Sequence, residues 1–132
     1  MRVVGTAAAL TLLATAAGCG GGGDENAKVS AAAQSYVAAF KAHDAKATCL
    51  ALTHDSQEQV AEFAREHMHL RGATCAKAVA LLPPAGEDAT VATVKIHGSR
   101  ATAAVDGFDR PLTLVREDGK WRVQSSPSGE TD

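Results

Sequence analysis

The hydrophobic period of this chain changes once, around Pro83-Pro84, and that change constrains what it can fold into. Upstream the apolar residues recur at helical spacing. Val29, Ala33, Tyr36, Val37 and Phe40 fall at i, i+4, i+7, i+8 and i+11, one face of a 3.6-period helix. Asp44 predicts an N-cap that restarts a short helix through Ala45 to Leu52, and Asp55 or Ser56 predicts the cap of a third. Val60, Phe63, Ala64 and His67 would share the inner face of that third helix, with Gly72 as its stop. A fourth helix carries Cys75, Val79 and Leu82 and ends at the two prolines, which cannot continue a helix.

Downstream the period is 2. Ala92, Val94 and Ile96 alternate with Thr93 and Lys95, and His97-Gly98-Ser99-Arg100 predicts a turn into Ala101, Ala103 and Val105. Asp106-Gly107 breaks that strand. Leu112 and Leu114 mark a third, and Glu117-Asp118-Gly119-Lys120 is a hairpin signal leading to Trp121 and Val123. Helices first and a meander afterwards predict an α+β domain, with the helices covering one side of a curved antiparallel sheet.

The N-terminus reads as an export signal. Arg2 is its positive end, and the run from Val3 to Ala17 is uncharged but shorter than the about 20 apolar residues of a membrane span. Ala16-Ala17-Gly18-Cys19 resembles the bacterial lipobox, with Ala16 where Leu is usual. Residues 1–18 are thus expected as a lipoprotein signal peptide and Cys19 as the lipid attachment site. Gly20 to Gly23 and Asp24 to Asn26 would complete a flexible tether over 19–26. A diacylated cysteine anchors stably, because two chains are needed for durable membrane binding. The alternative is a plain secreted protein cut after Ala14-Thr15-Ala16. Residues 27–126 remain as one domain, and 127–132 form a polar tail.

With Cys19 taken by lipid, Cys49 and Cys75 are an even pair in an oxidising compartment, expected to form a disulfide; two buried thiols are the alternative. The precursor carries a net charge of −2 and has no basic run, which argues against nucleic acid as a partner.

Two segments carry a family resemblance. Tyr36-Val37-Ala38-Ala39-Phe40-Lys41-Ala42-His43-Asp44-Ala45 resembles the opening helix of nuclear transport factor 2-like (NTF2-like) domains, and Asp118-Gly119-Lys120-Trp121-Arg122-Val123 resembles their closing hairpin. Cys49 and Cys75 resemble the paired cysteines of small actinobacterial-type lipoproteins with this fold. The resemblance implies a bent sheet closed by helices into a cone with a cavity at its wide end. It does not imply an activity, since the superfamily holds isomerases, dehydratases, transport factors and domains without known activity.

The candidate lining of such a cone is Tyr36, Phe40, Val94, Ile96, Val105, Leu112, Leu114 and Trp121. All but the tyrosine are apolar, and no pair of titratable groups among them suits acid–base catalysis. Asp44 suits a helix cap better than a base. His67-Met68-His69, with His54 or His43, has the composition of a metal site, but residues two apart on a helix point about 200° from each other. No metal and no cofactor is therefore expected. The expected function is a lipid-anchored, extracytoplasmic protein on the outer face of the bacterial cell membrane. Its role would be non-enzymatic binding of a small apolar molecule or of an envelope protein, as a monomer or a homodimer. An NTF2-like enzyme of isomerase or dehydratase type is the alternative.

Overall fold

A computed structural model describes residues 21–83 and 87–125. The expected signal peptide at 1–18, Cys19 and the expected tail at 127–132 lie outside the described residues, as do Pro84 and Gly86. Among the described residues the order is α1 (Gly21–Lys41), α2 (Ala45–Leu50), α3 (His54–His67), α4 (Cys75–Ala80), then β1 (Thr90–His97), β2 (Arg100–Asp106), β3 (Leu112–Glu117) and β4 (Lys120–Gln124). The four strands form one antiparallel sheet in the order β1-β2-β3-β4, and the helices pack against it. The α+β meander expected from the change of period is present.

The core lies between α1 and the inward face of the sheet. Val29 and Ala33 of α1 meet Ala101, Ala103, Leu114, Trp121 and Val123, and Leu52 joins them from the loop after α2. A second small cluster, Val37 with Ala89 and Val105, closes the other end of the same layer. Alanines on β2 let the helix approach closely, which a strand of larger residues would prevent.

The helix ends follow from local chemistry. His43 is left-handed at φ 56°; its N–H donates to the Phe40 carbonyl at 3.3 Å, and that of Asp44 donates to the Ala39 carbonyl at 3.0 Å. This is a Schellman-type stop. Asp44 then caps α2 through the Ala47 N–H, 3.0 Å, as expected. The hairpin turn at Asp118 and Gly119 has φ of 52° and 75°, the two left-handed positions of a type I′ turn.

Five details depart from expectation. First, α1 begins at Gly21, so Gly21 to Asn26 are helical turns rather than tether; contacts of Glu25, described below, outweigh the poor helix propensity of glycine. Second, the register of β1 shifts between Val91 and Val94. That bulge turns Val91 toward the core, where it packs, and leaves Ala92 exposed. Third, α3 is capped by Thr53, whose hydroxyl accepts from the Ser56 N–H. Fourth, the inward stripe of α3 is Ala61 and Ala64. Ala64 packs with Ala73 and Ala78, leaving no depth for a large ring, and Phe63 stacks outside on His67 at 4.5 Å. Fifth, α4 stops at Ala80 and Leu82 is exposed, because a residue before proline is pushed out of the helical region.

The edge of β4 is not bare. Leu52 bridges Val123 in parallel, the Thr53 N–H donates to the Val123 carbonyl at 3.0 Å, and the Val123 N–H donates to Ala51 at 2.8 Å. Beyond β1, no further strand pairs among the described residues.

Candidate functional site

The candidate lining residues share the interior. Leu114 has no exposed surface, and Trp121 and Val105 are buried. Tyr36, Val94, Ile96 and Leu112 are half-buried against the same clusters. Tyr36 stacks on Phe40 with centroids 6.1 Å apart, and burial raises its phenol pKa above the ordinary value. Phe40 borders an internal space of about 10 Å³ with His43, Thr48 and Val79, room for about one water.

Cys49 of α2 and Cys75 of α4 are joined as a disulfide, with Cα atoms 6.1 Å apart. Both half-cystines are buried in the main core. Thr74 caps α4 immediately before Cys75, its side chain accepting from the Lys77 N–H, which fixes the backbone from which that sulfur projects.

Two clusters were not legible in the sequence. The first joins the start of α1 to the last hairpin. Glu25 accepts from the Trp121 indole N–H at 2.9 Å and from the Arg116 guanidinium at 2.8 Å. That guanidinium carbon also lies 5.5 Å from the Trp121 ring centre, in cation–π range. Lys28 adds a second cation to Glu25 at 3.4 Å and reaches Asp24 at 3.5 Å. The Glu25 pKa is lowered, above all by the hydrogen bond from Trp121 and further by Lys28 and Arg116, with desolvation opposing. Glu25 also heads the causes that raise the Lys28 pKa, followed by Asp24. Glu25 and Trp121 stand 96 residues apart, so no local spacing could reveal the contact.

The second cluster is His54, Glu117 and Asp118, whose ligand atoms lie within 4.8 Å of one another. It is the group among the described residues with the composition for a metal ion, and it uses none of His43, His67 or His69. Glu117 is already engaged: the His54 backbone N–H donates to both its oxygens at 3.2 Å, and Arg122 Nε is 3.7 Å away. A carboxylate at a helix N-terminus facing an arginine is a structural clamp in its own right.

A shallow apolar depression lies between α1 and the start of β1. Val37, Ala38, Ala89 and Val91 form its floor, with Gln34 and Lys41 beside them, and it holds about 260 Å³. The Lys41 ammonium is tied to the Ala89 carbonyl at 3.2 Å. On the outer sheet face, Thr93, Lys95 and Gln124 are exposed and Thr102, Thr113 and Arg122 half-buried, the polar face read from the alternation. No family model, curated protein or solved structure matches the chain.

Proposed function

We propose that this protein is an exported, lipid-anchored domain on the outer face of a bacterial cell membrane, and that it binds another envelope protein without catalysing a reaction. The observation that carries this reading is the pairing of Cys49 with Cys75. It suits an oxidising compartment, and it leaves Cys19, directly behind an uncharged apolar run, as the third cysteine of the chain. The binding surface in this reading is the open edge of β1 with the depression beside it. An extended segment of a partner would add to β1 and set a side chain against Val37 and Val91. A small apolar ligand is the second reading, favoured by the apolar floor. The space of about 260 Å³ is below the about 300–1,000 Å³ usual for ligand sites and open to solvent, so it suits a side chain better. We further read the sheet as the wall of a small NTF2-like cone. The bulge in β1, a device that bends strands, supports this, and a flat sheet in an experimental structure would remove it.

The anchor is tested by growth with an alkyne-tagged palmitate. The native chain should take up label and sediment with membranes, and Cys19→Ser should do neither; a labelled Ser variant would overturn lipidation at this residue. For the surface, a photo-crosslinking residue replaces Ala92 beside the β1 edge or Glu66 on α3. One discrete protein adduct from position 92 and none from 66 is expected, and equal adducts from both would defeat the assignment.

A further inference from the structure

We infer that Glu25, Arg116 and Trp121 form a latch that seats the sheet-turn end of the domain on the lipid bilayer. The inference rests on Cys19 being the anchored residue. One residue separates Cys19 from Gly21, where α1 begins, so two peptide steps, about 7 Å at full stretch, join lipid to helix. Four more residues, rising about 6 Å, lead to Glu25. There the helix is held by the hydrogen bonds from Trp121 and Arg116.

The same end of the molecule carries both tight sheet turns. The Arg116 backbone N–H donates to the Ser99 carbonyl at 3.1 Å, bringing the Gly98-Ser99 turn beside β3, and Glu117 pairs with Lys120 across the other turn. With the latch closed, the reach from Cys19 is shorter than the domain, and the two turns are the parts nearest the membrane. With the latch open, residues 21–26 leave the helix, the seven peptide steps from Cys19 to Asn26 allow a reach of about 25 Å at full stretch, and the domain tumbles. The latch thus sets orientation as well as height. The floor of the α1–β1 depression includes Val37, twelve residues further along α1, so it stands about 18 Å above Glu25, clear of the lipid.

The test uses the chain from Cys19 onward, which contains every described residue, with Cys49 and Cys75 oxidised so that Cys19 is the free thiol. In solution, Cys19 carries a fluorescent acceptor for Trp121, the single tryptophan. Strong energy transfer is expected, with a loss of transfer in Glu25→Ala and a fall in far-UV helix signal no larger than the turns at residues 21–26 account for. If that variant unfolds, Arg116→Gln, which leaves the Trp121 bond to Glu25 in place, should give a smaller loss. Transfer that no variant alters overturns the latch. The same chain is then coupled through Cys19 to a maleimide lipid in phosphatidylcholine vesicles with nitroxide-labelled headgroups. Trp121 should be quenched in the native chain and less so in Glu25→Ala; equal quenching in both overturns the seating on the bilayer. Chemical coupling bypasses cellular lipidation, so failure of palmitate labelling in cells counts against the anchor alone.

Discussion

Leu114 and Leu50 are the same residue type put to opposite uses. Leu114 has 0% exposure at the centre of the inward sheet face, and Leu50 has 59% at the end of α2. Truncating Leu114 to Ala removes buried methyl groups and leaves a void, an expected loss of about 2–5 kcal/mol. Leu50→Ala should shift stability by no more than about 0.5 kcal/mol. Urea unfolding of both variants checks this, and a tolerated Leu114→Ala would mean that the core is less close-packed than described. Glu25 makes a prediction in pH. Its folded pKa is depressed, chiefly by the Trp121 hydrogen bond, so its contribution is present above the unfolded carboxylate pKa and lost as pH falls through the folded value. Acidification below the ordinary carboxylate range should therefore change the near-ultraviolet signal of Trp121. Glu25→Gln should flatten that response, and a variant with the native profile would assign it to another group.

At the scale of elements, α3 depends on a few hydroxyls. Ser56 Oγ accepts from the Thr53 hydroxyl at 2.8 Å and from the Ser125 N–H at 2.9 Å, and donates to the Ser125 carbonyl at 3.3 Å. Ser56→Ala leaves those groups without their partner in a buried place, an expected cost of about 1–3 kcal/mol. Faster hydrogen exchange at the Ser125 amide is the accompanying signature, and unchanged exchange would count against the contact. This cap also shows where sequence reading stops. Thr53-His54-Asp55-Ser56 offers three residues able to cap, and the choice is made by the bridge between Leu52 and Val123, which holds Thr53 extended. The strands of β2 to β4 were legible because Ala101, Ala103, Val105, Leu114, Trp121 and Val123 alternate without interruption and are all buried. β1 was misread by one pair: period 2 carries no sign of a bulge, and Ala92 took the place of Val91. Hydrophobicity alone ranks Phe63 above Ala61 and Ala64, whereas the inward face of α3 is set by Ala64 packing on Ala73 and Ala78, with Val60 beside them. Of the candidate functional residues, the cysteine pair was legible from its count. The Glu25 and Glu117 clusters were not, since each joins residues more than sixty positions apart.

For the whole molecule, the disulfide closes a loop of 26 residues between two short helices. Replacing both cysteines by alanine should cost about 3–4 kcal/mol by loop-closure entropy. Urea unfolding of the oxidised native chain against the double variant measures it, and equal midpoints would mean that the α2–α4 packing alone constrains this region. The consequence with the widest reach belongs to the last strand. Trp121 and Val123 complete the main core, Val123 ties down the chain at Ala51 and Thr53, and Trp121 holds Glu25 near the start of α1, 96 residues earlier. A chain emerging N-terminus first therefore lacks its closing piece until β4 has followed the helices and the other three strands. For a protein threaded through a translocation channel, as proposed above, that order keeps the leading helices from collapsing into a shape too wide to pass. A chain ending at Asp118 should be digested completely by trypsin under conditions that leave the full chain intact. β4, the last of the described strands to be made, would then act as the timer of folding, releasing the domain to close only on the far side of the membrane.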